Sequence, residues 1–107
     1  MTLMFCSFEG NPLILRVYGK AEEIGHHHER WNELFSNFPQ IPGARQIFLL
    51  RVEMVQSSCG FGVPQFQYAG PRDTLITWAE KKGEDGLEAY REEKNTVSID
   101  GKEISLG

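Results

Sequence analysis

No stretch of this sequence comes near the roughly 20 apolar residues that cross a bilayer, so a membrane-spanning helix is not expected. Positive charge is scarce as well. Eleven Lys and Arg against fifteen Asp and Glu leave a net charge of −4, which gives no field to hold a nucleic-acid backbone or an anionic lipid surface. Neither nucleic acid nor membrane is an expected partner. Cysteine is limited to Cys6 and Cys59, far apart in the chain and each without a neighbouring thiol. That fits neither a disulfide scaffold nor a zinc motif, and it suits a reducing compartment. Met1 to Phe8 has no basic start and no small-residue cleavage site. The expectation is a soluble cytoplasmic protein. Repeats, linkers and low-complexity segments are also lacking.

What is present suffices for one core. The 107 residues are 40% hydrophobic, which reads as a single domain over 1–107. Thr2 to Phe8 is apolar or small on both alternating sets and reads as a buried strand. Glu9-Gly10-Asn11-Pro12 is a turn cluster, and Leu13, Leu15 and Val17 then alternate up to Gly19. These two strands should form a hairpin. Trp31, Leu34, Phe35 and Phe38 have helical spacing, which Pro39 and Pro42 end. From Gln46 to Gln56 the chain reads as a long half-buried strand with Phe48, Leu50, Val52 and Met54 on its core face. Ser57 to Pro64 bends the chain through Gly60 and Gly62, and Phe66 and Tyr68 resume a strand pattern. Asp73 or Thr74 caps a helix with Leu75, Trp78 and Ala79 on one side and Gly83 at its end, followed by a second helical stripe of Leu87 and Tyr90. Thr96 to Ser105 should turn at Asp100-Gly101.

This order predicts an α+β domain of antiparallel strands with flanking helices. About four strands are too few to close a barrel, and the chain opens directly in a strand. The expectation is that something is missing or is supplied by a partner.

Several ordered segments carry a resemblance. Leu3-Met4-Phe5-Cys6-Ser7-Phe8-Glu9-Gly10 is followed by Ile14-Leu15-Arg16-Val17-Tyr18-Gly19-Lys20 and then by Gly43-Ala44-Arg45-Gln46. Ser58-Cys59-Gly60-Phe61-Gly62-Val63-Pro64, Arg72-Asp73-Thr74-Leu75 and Trp78-Ala79-Glu80-Lys81-Lys82-Gly83 come next. Glu93-Lys94-Asn95 and Ser98-Ile99-Asp100-Gly101 complete the set. Together they resemble a bacterial branch of the pyridoxamine 5′-phosphate oxidase-like proteins, in order and over essentially the whole chain. The resemblance implies the C-terminal part of a split β-barrel that binds flavin mononucleotide (FMN) at the interface of a homodimer. It also implies hydride transfer from a small-molecule substrate to the flavin N5 atom, with reoxidation by dioxygen or another acceptor.

The candidate cofactor-binding residues are Arg16, Ser58, Cys59, Gly60 and Gly62. Arg16 is a cation inside an apolar strand and must meet a phosphate, a carboxylate or solvent. Ser58 to Pro64 offers a hydroxyl, backbone N–H groups and close approach at its glycines, as an anion or flavin edge requires; the plain reading is a β-bulge. Cys59 has no activating base in the sequence pattern and reads as a small packed residue. No catalytic residue can be named. His26-His27-His28-Glu29 lacks the spacing of a metal site, because adjacent side chains point apart. Trp78 with Arg72 could stack on a flavin or on a partner subunit, though the Leu75/Trp78/Ala79 stripe favours packing. The acidic run from Glu84 to Glu93 reads as a solvated helix face. A second function stays open: a flavin-free oligomerisation or binding module, or an inactive fragment needing a complementary chain.

Overall fold

The turn cluster at residues 9–12 does what its composition demands. In the computed structural model, which describes residues 1–104, Gly10 adopts φ 71° and the Ser7 hydroxyl donates to the Glu9 carbonyl at 2.7 Å. The chain reverses, and β1 (Thr2–Cys6) pairs antiparallel with β2 (Leu13–Gly25), from Thr2 opposite Tyr18 to Cys6 opposite Ile14. The Met1 ammonium extends the ladder by donating to the Gly19 carbonyl at 2.7 Å. After α1 (Trp31–Phe35), β3 (Gln46–Cys59) joins the other edge of β2, giving an open sheet in the order β1-β2-β3. Side-chain pairs on the two strands run in opposite senses, Arg16 with Ser58, Tyr18 with Gln56 and Lys20 with Glu53, so β2 and β3 are also antiparallel. α2 (Thr74–Lys94) completes an α+β chain.

The chain divides into two units, Met1–Glu22 with Phe48–Gly70 and Glu23–Ile47 with Pro71 onward. The first unit holds β1 and most of β2 and β3. Its strands approach so closely that a Cβ on Gly19 would lie 2.1 Å from the Arg51 carbonyl oxygen. Gly60 is buried for the same reason, since a Cβ there would sit 2.7 Å from the Leu13 nitrogen. The second unit carries the buried hydrophobic residues, Ile24, Trp31, Ala79 and Leu87. Trp31 stacks between His26 and Phe35, at 4.0 and 5.1 Å between ring centroids. The loop ahead of β3 is held to α2, because Arg91 donates to the Gly43 carbonyl at 3.2 Å.

Four expectations are corrected. The strand expected over Thr2 to Phe8 forms but is not buried: Leu3, Met4 and Phe5 are exposed, because β1 is an edge strand and no element of its unit covers it. The face expected as core in β3 is largely open, with Phe48, Val52 and Met54 each more than half exposed and Leu50 alone half-buried. β2 does not stop at Gly19. That glycine serves the close crossing, and the strand continues through polar residues to the fully buried Ile24. No strand forms at Phe66 and Tyr68. Pro64, Gly70 and Pro71 bracket too short a segment for a ladder, and one bond, from the Phe66 N–H to the Phe8 carbonyl, ties it down.

Other signals read through. Gly83, at φ 68° and ψ 172°, breaks α2 into two helical halves, as its place between two stripes suggested. The tail hairpin contracts to a single bridge, Val97 with Glu103, around Gly101 at φ 78°; Ser105, its expected last residue, lies outside the described residues. In this turn the Lys102 ammonium 2.8 Å from Asp100, and then the Ser98 hydroxyl, hold the Asp100 carboxyl below its ordinary pKa. A lowered carboxylate pKa stabilises the fold above the ordinary value, and that contribution disappears as the pH falls through the lowered one. Lys102→Ala should therefore raise the Asp100 pKa in an NMR titration. An unmoved titration would remove Lys102 as the main cause.

Candidate functional site

A strand places every second side chain on the same face, and β2 is the strand with a neighbour on each side. Arg16 and Tyr18 share one of its faces. Met4 of β1 stands opposite Arg16, and Thr2 opposite Tyr18. From β3, Ser58 reaches Arg16 and Gln56 reaches Tyr18: the Arg16 Nη1 donates to the Ser58 Oγ at 3.1 Å, and the Tyr18 hydroxyl donates to the Gln56 Oε1 at 3.2 Å. The result is a row of polar groups across two strands, which the Lys20–Glu53 ion pair continues further along the sheet. Arg16, Tyr18 and Ser58 are half-buried.

The electrostatics of Arg16 set this row apart. A half-buried guanidinium meets an anion or keeps its remaining N–H groups in solvent, and none of the ion pairs among the described residues includes Arg16. Its partner there is a neutral hydroxyl. Guanidinium carries five N–H donors in a planar fork, so most remain available for an oxyanion. The Ser58 hydroxyl accepts from Arg16 and keeps its own proton to donate. This donor set fits a phosphate.

Two of the five sequence candidates, Arg16 and Ser58, are thus in contact. The other three are placed differently. Cys59 follows Ser58 in the same strand, so its side chain leaves by the opposite face, where the thiol is exposed. The Gly60 N–H donates to the Pro12 carbonyl at 3.2 Å, and its missing side chain is what the close strand packing uses. Gly62 stands in open space in a turn closed by the Val63 N–H on the Gly60 carbonyl. Sequence reasoning missed Tyr18 and Gln56. Their signal was available, because each lies two positions from a candidate that was named, Arg16 or Ser58.

The remaining candidates have local roles. His26 uses its Nε2 on the Ala44 carbonyl at 2.8 Å and its ring on Trp31, while the His28 Nδ1 accepts from the Arg30 N–H. These contacts build the entry to α1. No group of three or more His, Cys, Asp and Glu side chains among the described residues is arranged to hold a metal ion. Trp78 packs on Tyr90, edge to face at 5.2 Å. No helix among the described residues is long and apolar enough to cross a membrane.

Against known proteins, the chain is 37% identical over 65 residues to a pyridoxamine 5′-phosphate oxidase family protein of Aspergillus flavus, an alignment covering 59% of this chain and 26% of that one. The chain spans about a quarter of the length of this curated relative. No family model matches the sequence, and no solved structure matches it.

Proposed function

We propose that this chain is an FMN-binding redox protein of the pyridoxamine 5′-phosphate oxidase-like kind, in which Arg16 and Ser58 grip the flavin phosphate. The observation that carries this reading is a half-buried Arg16 whose hydrogen-bond partner is a hydroxyl rather than a carboxylate. An anionic ligand would supply the missing charge. The similarity to the Aspergillus flavus protein, named for the pyridoxamine 5′-phosphate oxidase family, agrees with the sequence resemblance that implies FMN among anionic ligands. When bound, the flavin supplies a hydride acceptor for a small-molecule substrate, to be reoxidised by dioxygen or another acceptor. The protein's own work is binding and orientation. Arg16 and Ser58 hold the charged end, while Tyr18 and Gln56 continue the polar row along the sheet.

The uncovered sheet supports a homodimer as the working assembly and a partial split barrel as its architecture. The buried hydrophobic residues all belong to the second unit, while in the first Met4, Phe5, Phe48 and Val55 are more than half exposed. Met4 and Phe5 are adjacent in β1 and lie on opposite faces, so apolar side chains are exposed on both faces of the sheet, as on a surface that a partner covers. The same surface favours a second reading, a flavin-free oligomerisation or binding module.

One titration separates the two. FMN added to the purified chain should lose fluorescence saturably, and Arg16→Ala should weaken binding by about tenfold or more, the worth of a charge-assisted hydrogen bond. Equal affinity for the variant would remove Arg16 from the site. A folded dimer that binds no flavin would establish the second reading instead.

A further inference from the structure

Lys82 lies among carboxylates, with Glu80, Glu84, Asp85 and Glu88 close in sequence, and the ordinary outcome on a helix is an ion pair three or four residues away. It makes none. Its Nζ sits instead 5.4 Å from the centroid of the Trp78 ring and 5.1 Å from that of Tyr90, within the range of cation–π attraction. The two rings stand nearly at right angles, at an interplanar angle of 77°, and so form two walls. In an uninterrupted helix, residues 78 and 90 would be about 18 Å apart along the axis. Their contact exists because Gly83 breaks the helix between them.

We propose that Trp78 and Tyr90 form a recognition site for a methylated ammonium group, with Lys82 as a tethered occupant that a free ligand displaces. Ring faces attract positive charge but offer no lone pair of hydrogen-bonding quality, so a primary ammonium there leaves N–H groups unspent. A quaternary ammonium has no N–H to satisfy and suits the same walls better. Both rings keep 37% of their surface exposed, so a ligand can reach them, and the Lys82 side chain is free to swing into solvent. This site is independent of the flavin reading.

The test is a titration of the full chain with tetramethylammonium chloride against sodium chloride at equal ionic strength, followed by NMR at the Trp78 indole and Tyr90 ring. Saturable shifts at these two residues but not at Trp31 are expected with tetramethylammonium alone. Lys82→Ala and Lys82→Gln should each tighten binding by a factor of about 2 to 5, the equivalent of an exposed cation–π contact. Tyr90→Leu should abolish it, and Tyr90→Phe, which keeps the wall, should retain it. Shifts matched by sodium would overturn the proposal. So would unchanged affinity in both Lys82 variants, or undiminished binding by Tyr90→Leu.

Discussion

Gly19→Ala is expected to lower stability by about 1 to 3 kcal/mol or more, while Gly62→Ala stays within about 0.5 kcal/mol of the parent. Each variant adds one methyl group to the same unit, and surroundings alone separate them. At Gly19 the new carbon would lie 2.1 Å from the Arg51 carbonyl oxygen and 2.8 Å from its carbon. Both are backbone atoms of β3 and cannot rotate away, so relief requires the two strands to part and to lose ladder hydrogen bonds. At Gly62 nothing lies within 4 Å. Denaturant midpoints with a shared slope measure the difference directly. Equal midpoints would mean that β2 and β3 do not cross as closely as described. Gly60→Ala is a milder version of the same test, with its nearest contact at 2.7 Å.

How much of this was legible in the sequence depended on whether a signal was local. The hairpin followed from residues 9–12, the break in α2 from Gly83 and the tail turn from Asp100-Gly101, because glycine and its polar neighbours dictate backbone angles wherever they stand. Burial was not legible. Alternation shows which face of β3 is apolar, but only tertiary structure shows whether anything lies against it, and Phe48 and Met54 face outward within this chain. Ile24 shows the converse. It stands alone among Glu22, Glu23 and Gly25, where no periodicity marks it, and it is fully buried. The candidate site was half legible for the same reason. Arg16 and Ser58 could each be named from chemistry, yet their pairing depends on the register of two strands whose side chains meet across 42 sequence positions. That Cys59 must face away from Ser58 needed only the period of a strand.

The uneven distribution of buried side chains leads to the second large effect. Trp31→Ala should cost about 3 to 5 kcal/mol, since the indole is 8% exposed and stacked between His26 and Phe35. Removing it leaves a hole among residues fixed by other contacts, so the loss should not depend on protein concentration. Phe48→Ala should behave differently. With its ring 55% exposed, the variant gives up little within one chain, and its cost should stay below about 1 kcal/mol when the protein is dilute. If a second copy covers the sheet, association stabilises only the folded form, so the cost must grow as concentration rises. Thermal melts of both variants at two widely separated concentrations distinguish these cases. A Phe48→Ala penalty that is small and constant would argue against the homodimer, and a small penalty for Trp31→Ala would mean that the second unit is not organised around the indole.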